Sequence, residues 1–236
     1  MEISSTGLTP LDAAGRVYAH TYSFSKTGRA NMLVVALGEG RLLVVSPAAR
    51  PSDALFAELE RHGRVVALVA PNGFHHMGLS AFVRRFPEAL TYAPEAAAVR
   101  IRKKSDFTGT IHPLSALAPH LPSHVALWVP PGLKAPDLFL TVTLAEGCLW
   151  HSTDLLINMP KLPGGFPGLL FKLTKSAPGY RYFKLASLIY VKDRKALKAH
   201  WLEALDRQPA TLIVPGHGDA VLDPGGRLTR ALVEAL

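Results

Sequence analysis

The amino-acid sequence predicts an α/β protein, and three observations carry that prediction. Residues 31–47, NMLVVALGEGRLLVVSP, place two apolar, β-branched runs on either side of Gly-Glu-Gly, the signature of a hairpin. Residues 65–70, VVALVA, form an apolar run without alternation, as expected of a strand buried on both faces. Between and after these lie segments of helical period joined by short links, the strand–helix order of α/β architecture.

The elements follow in order. In DALFAELERH (53–62), Leu55, Phe56 and Leu59 share one helical face, and Gly63 ends the helix. After strand 65–70 the loop PNGFHHMG leads into a short helix, 79–86, stopped by Pro87. A short strand at 90–92 and a helix at 95–102 come next. Three closely spaced strands are expected at 124–130, 137–144 and 147–152, the last two joined by a turn at Ala145-Glu146-Gly147. Residues 160–184 are rich in Gly, Pro, Phe and Lys with weak periodicity, and read as loop with short helix. A long helix, with an interruption allowed, is predicted over 186–206 from the four-residue recurrence of Leu197, Trp201 and Leu205. A buried strand at 211–214 then ends in Pro-Gly-His-Gly, and a terminal helix runs from about 224 to 236.

The chain's 236 residues suffice for one sizeable core, and no linker argues for separable parts. A single domain over 1–236, with an N-terminal extension at 1–14, is therefore expected. One cysteine, Cys148, excludes an intramolecular disulfide and a Cys-rich zinc or iron–sulfur module. Apolar stretches shorter than ten residues are too short to span a membrane. The first ten residues, MEISSTGLTP, lack a basic segment and an apolar segment, so a cytoplasmic location is expected. The net charge of +8 is localised: residues 161–198 carry nine basic residues against one acid, Asp193. A field of that sign favours an anionic small molecule, an acidic lipid surface or a nucleic acid. No zinc finger, RNP-like strand or helix-turn-helix accompanies it, which argues against specific nucleic-acid recognition.

Of ten histidines, His75, His76 and His217 stand out, together with Asp154. Each follows an apolar strand, among small or turn-forming residues, where α/β proteins collect reactive groups. Imidazoles and a carboxylate can ligate zinc, iron or manganese, or can form a hydrogen-bonded cluster that ties loops together. His151, three residues before Asp154, is a candidate for proton transfer or for a supporting hydrogen bond, with a plain strand-edge position as the competing reading. Asn158 can orient Asp154 or a substrate carbonyl, or simply bond its own loop. Lys161 and Lys172, in the basic segment, are candidates for an anionic substrate group, against ordinary surface placement.

The order of hairpin, strand with His-rich loop, mid-chain Asp and late strand–PGHG loop resembles the metallo-β-lactamase fold superfamily over roughly residues 15–235. Within it the chain looks like the divergent branch labelled domain-of-unknown-function 4336. The resemblance implies a four-layer αββα sandwich. The superfamily's His-x-His-x-Asp-His motif falls on Pro71, Gly73, His75 and His76, its middle His on Leu133, its bridging Asp on Asp154 and its last His on His217. The first metal's three positions thus read Pro71, Gly73 and Leu133, none of which has a side-chain donor. The second metal's positions read His75, His76, Asp154 and His217, all able to ligate. The resemblance therefore implies one divalent metal, zinc before iron or manganese, and a mononuclear hydrolase-like protein. Its substrate would be a small, anionic ester, amide or phosphoester, with Asp154 serving as ligand or base. The alternative from the same residues is a non-catalytic member that binds a small anion or a protein partner.

Overall fold

The computed structural model describes residues 1–162 and 164–236. The chain divides into two compact units, Ile3–Ser123 and His124–Leu236, the latter taking in Met1–Glu2.

Among the described residues of the N-terminal unit, seven strands form one sheet in chain order. They are β1 (Thr9–Pro10), β2 (Val17–Ser23), β3 (Arg29–Gly38), β4 (Arg41–Val45), β5 (Arg64–Val69), β6 (Leu90–Ala93) and β7 (Ile111–Pro113). The hairpin expected around Gly-Glu-Gly is β3–β4. From β4 onward the pairing is parallel, so β4, β5, β6 and β7 all end on the same side of the sheet. Helices α1 (Asp53–His62), α2 (Leu79–Arg85) and α3 (Glu95–Lys104) supply the crossovers. Ser52 caps α1 by accepting from Leu55 N at 3.2 Å. Leu55, Phe56 and Leu59 of α1, Phe82 of α2 and Ile101 of α3 join Met32, Val34, Val44 and Leu68 in one core. The Phe56 and Phe82 rings meet edge to face at 5.2 Å. The strand β2, absent from the sequence-based expectation, contains His20, whose Nδ1 lies 3.1 Å from Gly7 O. Burial lowers the His20 pKa.

In the C-terminal unit a five-stranded sheet runs β14–β13–β10–β9–β8, with a two-stranded β11–β12 sheet beside it in the chain. A four-residue helix α4 (Leu114–Leu117) belongs to the preceding unit. The strands are β8 (Val125–Trp128), β9 (Phe139–Leu144), β10 (Gly147–Ser152), β11 (Leu156–Met159), β12 (Gly179–Tyr182), β13 (Ala210–Pro215) and β14 (Val221–Leu222). Helices α5 (Gly165–Leu173), α6 (Lys184–Tyr190), α7 (Arg194–Arg207) and α8 (Arg227–Glu234) complete it. The expected turn at 145–147 joins β9 to β10 in antiparallel register. Trp201 of α7 packs on Phe139 and Tyr182 at ring distances of 5.3 and 6.1 Å, centring this unit's core.

One expectation is made specific here and another is corrected. The interruption allowed within the 186–206 helix is present, and the segment forms α6 and α7. Val191 is extended and bridges to Leu133, the amides of Lys192 and Asp193 donate to Gly132 O, and Asp193 caps α7 by accepting from Ala196 N. Residues 160–184, read as loop and short helix, also contain β12, which pairs antiparallel with β11; Pro163 lies outside the described residues.

Cys148 is buried in β10, and burial pushes its thiol pKa up to about 12. A protonated, enclosed thiol is a poor nucleophile. The native chain is therefore expected not to react with a disulfide reagent such as dithionitrobenzoate at neutral pH, and to release one equivalent once urea has unfolded it. Rapid reaction of the native protein would contradict this burial. Among the described residues, no helix is long and apolar enough to cross a membrane.

Candidate metal centre

In the C-terminal unit, β10 and β13 are parallel neighbours with His151 opposite Val214 and Ser152 opposite Pro215. Their carboxyl ends therefore coincide, and the loops leaving them carry Asp154 and His217. Gly216 N donates to Ser152 O at 2.7 Å, drawing the second loop onto the first. The two glycines flanking His217 are required by close approach. A Cβ at 216 would lie 2.1 Å from Thr153 O, and one at 218, where φ is +92°, would lie 1.8 Å from Asn158 O. The outcome is that His217 Nε2 stands 3.0 Å from Asp154 Oδ1. The imidazole N–H donates to the carboxylate.

The carboxylate is held from its other oxygen as well. Tyr190, at the end of α6, donates its hydroxyl to Asp154 Oδ2 at 2.5 Å. The loop backbone is held by the buried Asp137, whose Oδ2 accepts from the amides of Asp154 and Leu155 at 3.2 Å each. Asn158 N donates to His217 O at 3.0 Å, and its side-chain amide donates to Asp219 O at 2.9 Å, so Asn158 secures the Pro-Gly-His-Gly loop. His151 is fully buried and donates from Nδ1 to Val214 O at 2.8 Å, fixing the register of the strand that delivers His217.

The N-terminal unit repeats the device. Parallel β4 and β5 end together, with Val45 opposite Val69 and Ser46 N donating to Val69 O at 2.9 Å. Ser46, in the left-handed region at φ 57°, places its Oγ 2.7 Å from His75 Nδ1 and 3.0 Å from the Tyr22 hydroxyl. Such a conformation in a non-glycine residue costs about 1–3 kcal/mol and persists where surrounding contacts enforce it. Asn72 shapes the loop by accepting from the amides of Phe74 and His75 at 2.8 and 3.0 Å. His75 is buried and His76 half-buried; His76 Nδ1 has no hydrogen-bond partner among the described residues. Burial and, next, the nearby Arg100 charge lower the His76 pKa, which keeps its ring neutral and able to ligate.

Arg100, on α3, fills the space above Gly73. Its Nε donates to Gly73 O at 3.1 Å, its guanidinium lies 4.0 Å from the Phe74 ring centre, and a Cβ at 73 would meet Arg100 Cδ at 2.6 Å. Leu133, another of the three positions without a side-chain donor, is engaged by its bridge to Val191. Lys172 lines a cavity of about 380 Å³ with Lys175, Arg181 and Lys184, while Lys161 is exposed at the end of the Asp154 segment. The sequence reading named Asp154 and the histidines but missed Ser46, Tyr22, Asp137 and Tyr190. Ser46 also ends a buried strand, and extending the strand-end criterion beyond histidine and aspartate would have found it.

No family model and no curated sequence matches the chain. Solved structures do. The DIM-1 metallo-β-lactamase exposed to ceftazidime aligns with a TM-score of 0.62 at 14% identity, covering 100% of this chain and 99% of that one. The fold is that of the metallo-β-lactamases. An enzyme of that group from Erythrobacter litoralis, with β-mercaptoethanol in its active site, gives 0.62 at 15% identity over 97% of this chain and 96% of its own. The FIM-1 metallo-β-lactamase from Pseudomonas aeruginosa, solved in a mono-zinc form, gives 0.59 at 18% identity with the same coverages. The metallo-β-lactamase fold expected from the order of the elements is thus the fold observed.

Proposed function

We propose that this chain is a mononuclear metal-dependent hydrolase-like protein acting on a small, anionic ester, amide or phosphoester. In this reading Asp154, His217, His75 and His76 hold one divalent ion. The observation that carries it is the Asp154–His217 pair at the coincident ends of β10 and β13. Two donors 3.0 Å apart have the separation that metal bonds of about 2.0–2.2 Å span at nearly a right angle. The proton His217 shares with Asp154 is the one a metal would displace. One carboxylate with imidazoles suits zinc and is tolerated by iron or manganese. The FIM-1 enzyme in its mono-zinc form supports a single-ion reading for this fold. Arg100 over Gly73 supports it from within the chain, since its aliphatic stem lies where a side chain at position 73 would begin.

When bound, such an ion would polarise a carbonyl or phosphoryl oxygen. The chain's own groups do the rest. Tyr190 and Asp137 hold the Asp154 carboxylate in place, and Asn158 and His151 hold the loop of His217. Because His151 is enclosed, the reading assigns it orientation of the β13 end before proton transfer. Lys161 and Lys172 are assigned the anionic portion of the substrate.

Tyr190→Phe tests the role of the hydroxyl. Metal affinity is expected to fall by about 10–100-fold, the usual effect of removing a partner that orients a ligand. Competition with a chromophoric chelator measures it, and unchanged affinity would show that the Tyr190 hydroxyl does not orient a metal ligand. The function itself is tested by metal analysis of the purified chain beside turnover of nitrophenyl esters and phosphates. One ion with metal-dependent turnover supports the proposal. One ion without turnover on any of them favours the non-catalytic alternative.

A further inference from the structure

We propose that the surface formed by α5 and α6 docks this protein on an anionic lipid bilayer. On α5, Phe166, Leu169 and Leu173 recur at i, i+3 and i+7, which puts them on one face, and they are 70, 52 and 69% exposed. On α6, Leu188 and Ile189 are 70 and 50% exposed. These side chains are not turned outward for lack of a packed side. Phe171 of α5 lies against Phe183, just before α6, at a ring distance of 4.9 Å, so α5 is anchored through another face. Single exposed leucines are ordinary, but five large apolar side chains within 24 residues of sequence form a concentration that water does not favour.

Cations border the same surface. Lys175 and Lys184 line two cavities of about 380 and 370 Å³. The first also takes in Lys172 and Arg181, and the second takes in Leu173, Leu188 and Arg194. Basic and exposed apolar side chains therefore share walls. From 161 to 192 the chain carries six basic residues and no acid. A bilayer with anionic headgroups meets both demands at once: its phosphates face the lysines, and its acyl boundary receives Phe166 and the leucines. A nucleic acid would satisfy only the charge.

Sedimentation of the full-length protein with vesicles tests the proposal. Vesicles of phosphatidylcholine mixed with phosphatidylglycerol are expected to retain it, and vesicles of phosphatidylcholine alone are not. Added salt should weaken the retention. A Phe166→Ser, Leu173→Ser variant and a Lys175→Glu, Lys184→Glu variant should each lower the partition coefficient by roughly tenfold or more. All four positions are exposed, so circular dichroism should show both variants folded. In a Phe166→Trp variant, indole emission should shift to the blue on anionic vesicles. Equal retention on both vesicle types would overturn the proposal, and so would indifference to either pair of substitutions. Tighter binding to polyglutamate than to anionic vesicles would also overturn it, in favour of an acidic protein partner.

Discussion

Replacing His217 by alanine is expected to reduce the metal carried by the purified chain from one equivalent to a small fraction. The affinity should fall by more than the roughly 10–100-fold typical of losing a supporting residue, because a donor atom itself is removed. The expectation follows from the Asp154–His217 geometry and from the loop that Gly216, Gly218 and Asn158 hold in one conformation. His76→Ala should behave likewise. His112→Ala and His120→Ala should not, since His112 packs beside the Tyr92 ring and His120 is exposed. Elemental analysis of protein prepared without chelators reads all four. A pair of ions should not follow from Gly73→His alone, because Pro71 and Leu133 still offer no side-chain donor and the Arg100 stem would have to move aside. Two equivalents in the unaltered chain, or full occupancy in His217→Ala, would refute the single-ion assignment.

The largest effect on stability is expected from Trp201→Ala. The side chain is 1% exposed and lies between Phe139 of the sheet and Tyr182 of β12. Truncation leaves a void that helix α7 cannot close without losing its contacts through Leu197 and Leu205. The cost of emptying such a site is about 3–5 kcal/mol, against about 5–15 kcal/mol for the whole stability of a typical domain. Urea unfolding followed by circular dichroism measures it as a lower midpoint. A loss below about 1 kcal/mol would mean that the core around Trp201 repacks freely.

Much of the frame was legible because it depends on short-range pattern. The β3–β4 hairpin follows from Gly-Glu-Gly between β-branched runs, β5 from its unbroken apolar run, and α1 from a single apolar face. The break between α6 and α7 depends instead on Gly132, some sixty residues away, accepting the amides of Lys192 and Asp193. The pairing of β11 with β12 was hidden because INM and GYRY alternate too weakly to be told from loop. At the site, Asp154 and the histidines were visible as polar residues after buried strands. Asp137 and Tyr190 were not. Asp137 was read as the start of a strand, whereas it precedes β9 and bonds amides 17 and 18 positions later. Tyr190 reaches Asp154 across 36 residues, a relation set by where α6 stops.

The parallel pairing of β10 with β13 also bears on the order of assembly. Asp154 and His217 are 63 positions apart, and no turn can join parallel neighbours. Closing a coil of that length costs roughly 4 kcal/mol in the length-dependent part of its entropy alone. The intervening strands and α5–α7 are therefore expected to form largely before β13 docks. An ion present during refolding then meets no preformed chelate and should leave the folding rate unchanged. Stripping it from the finished protein should lower the thermal midpoint by mass action without dissolving the sheet, in contrast to a zinc finger, which unfolds when its metal is removed. Asp154 and His217 are brought together by the parallel pairing of β10 and β13, with no ion required to do so.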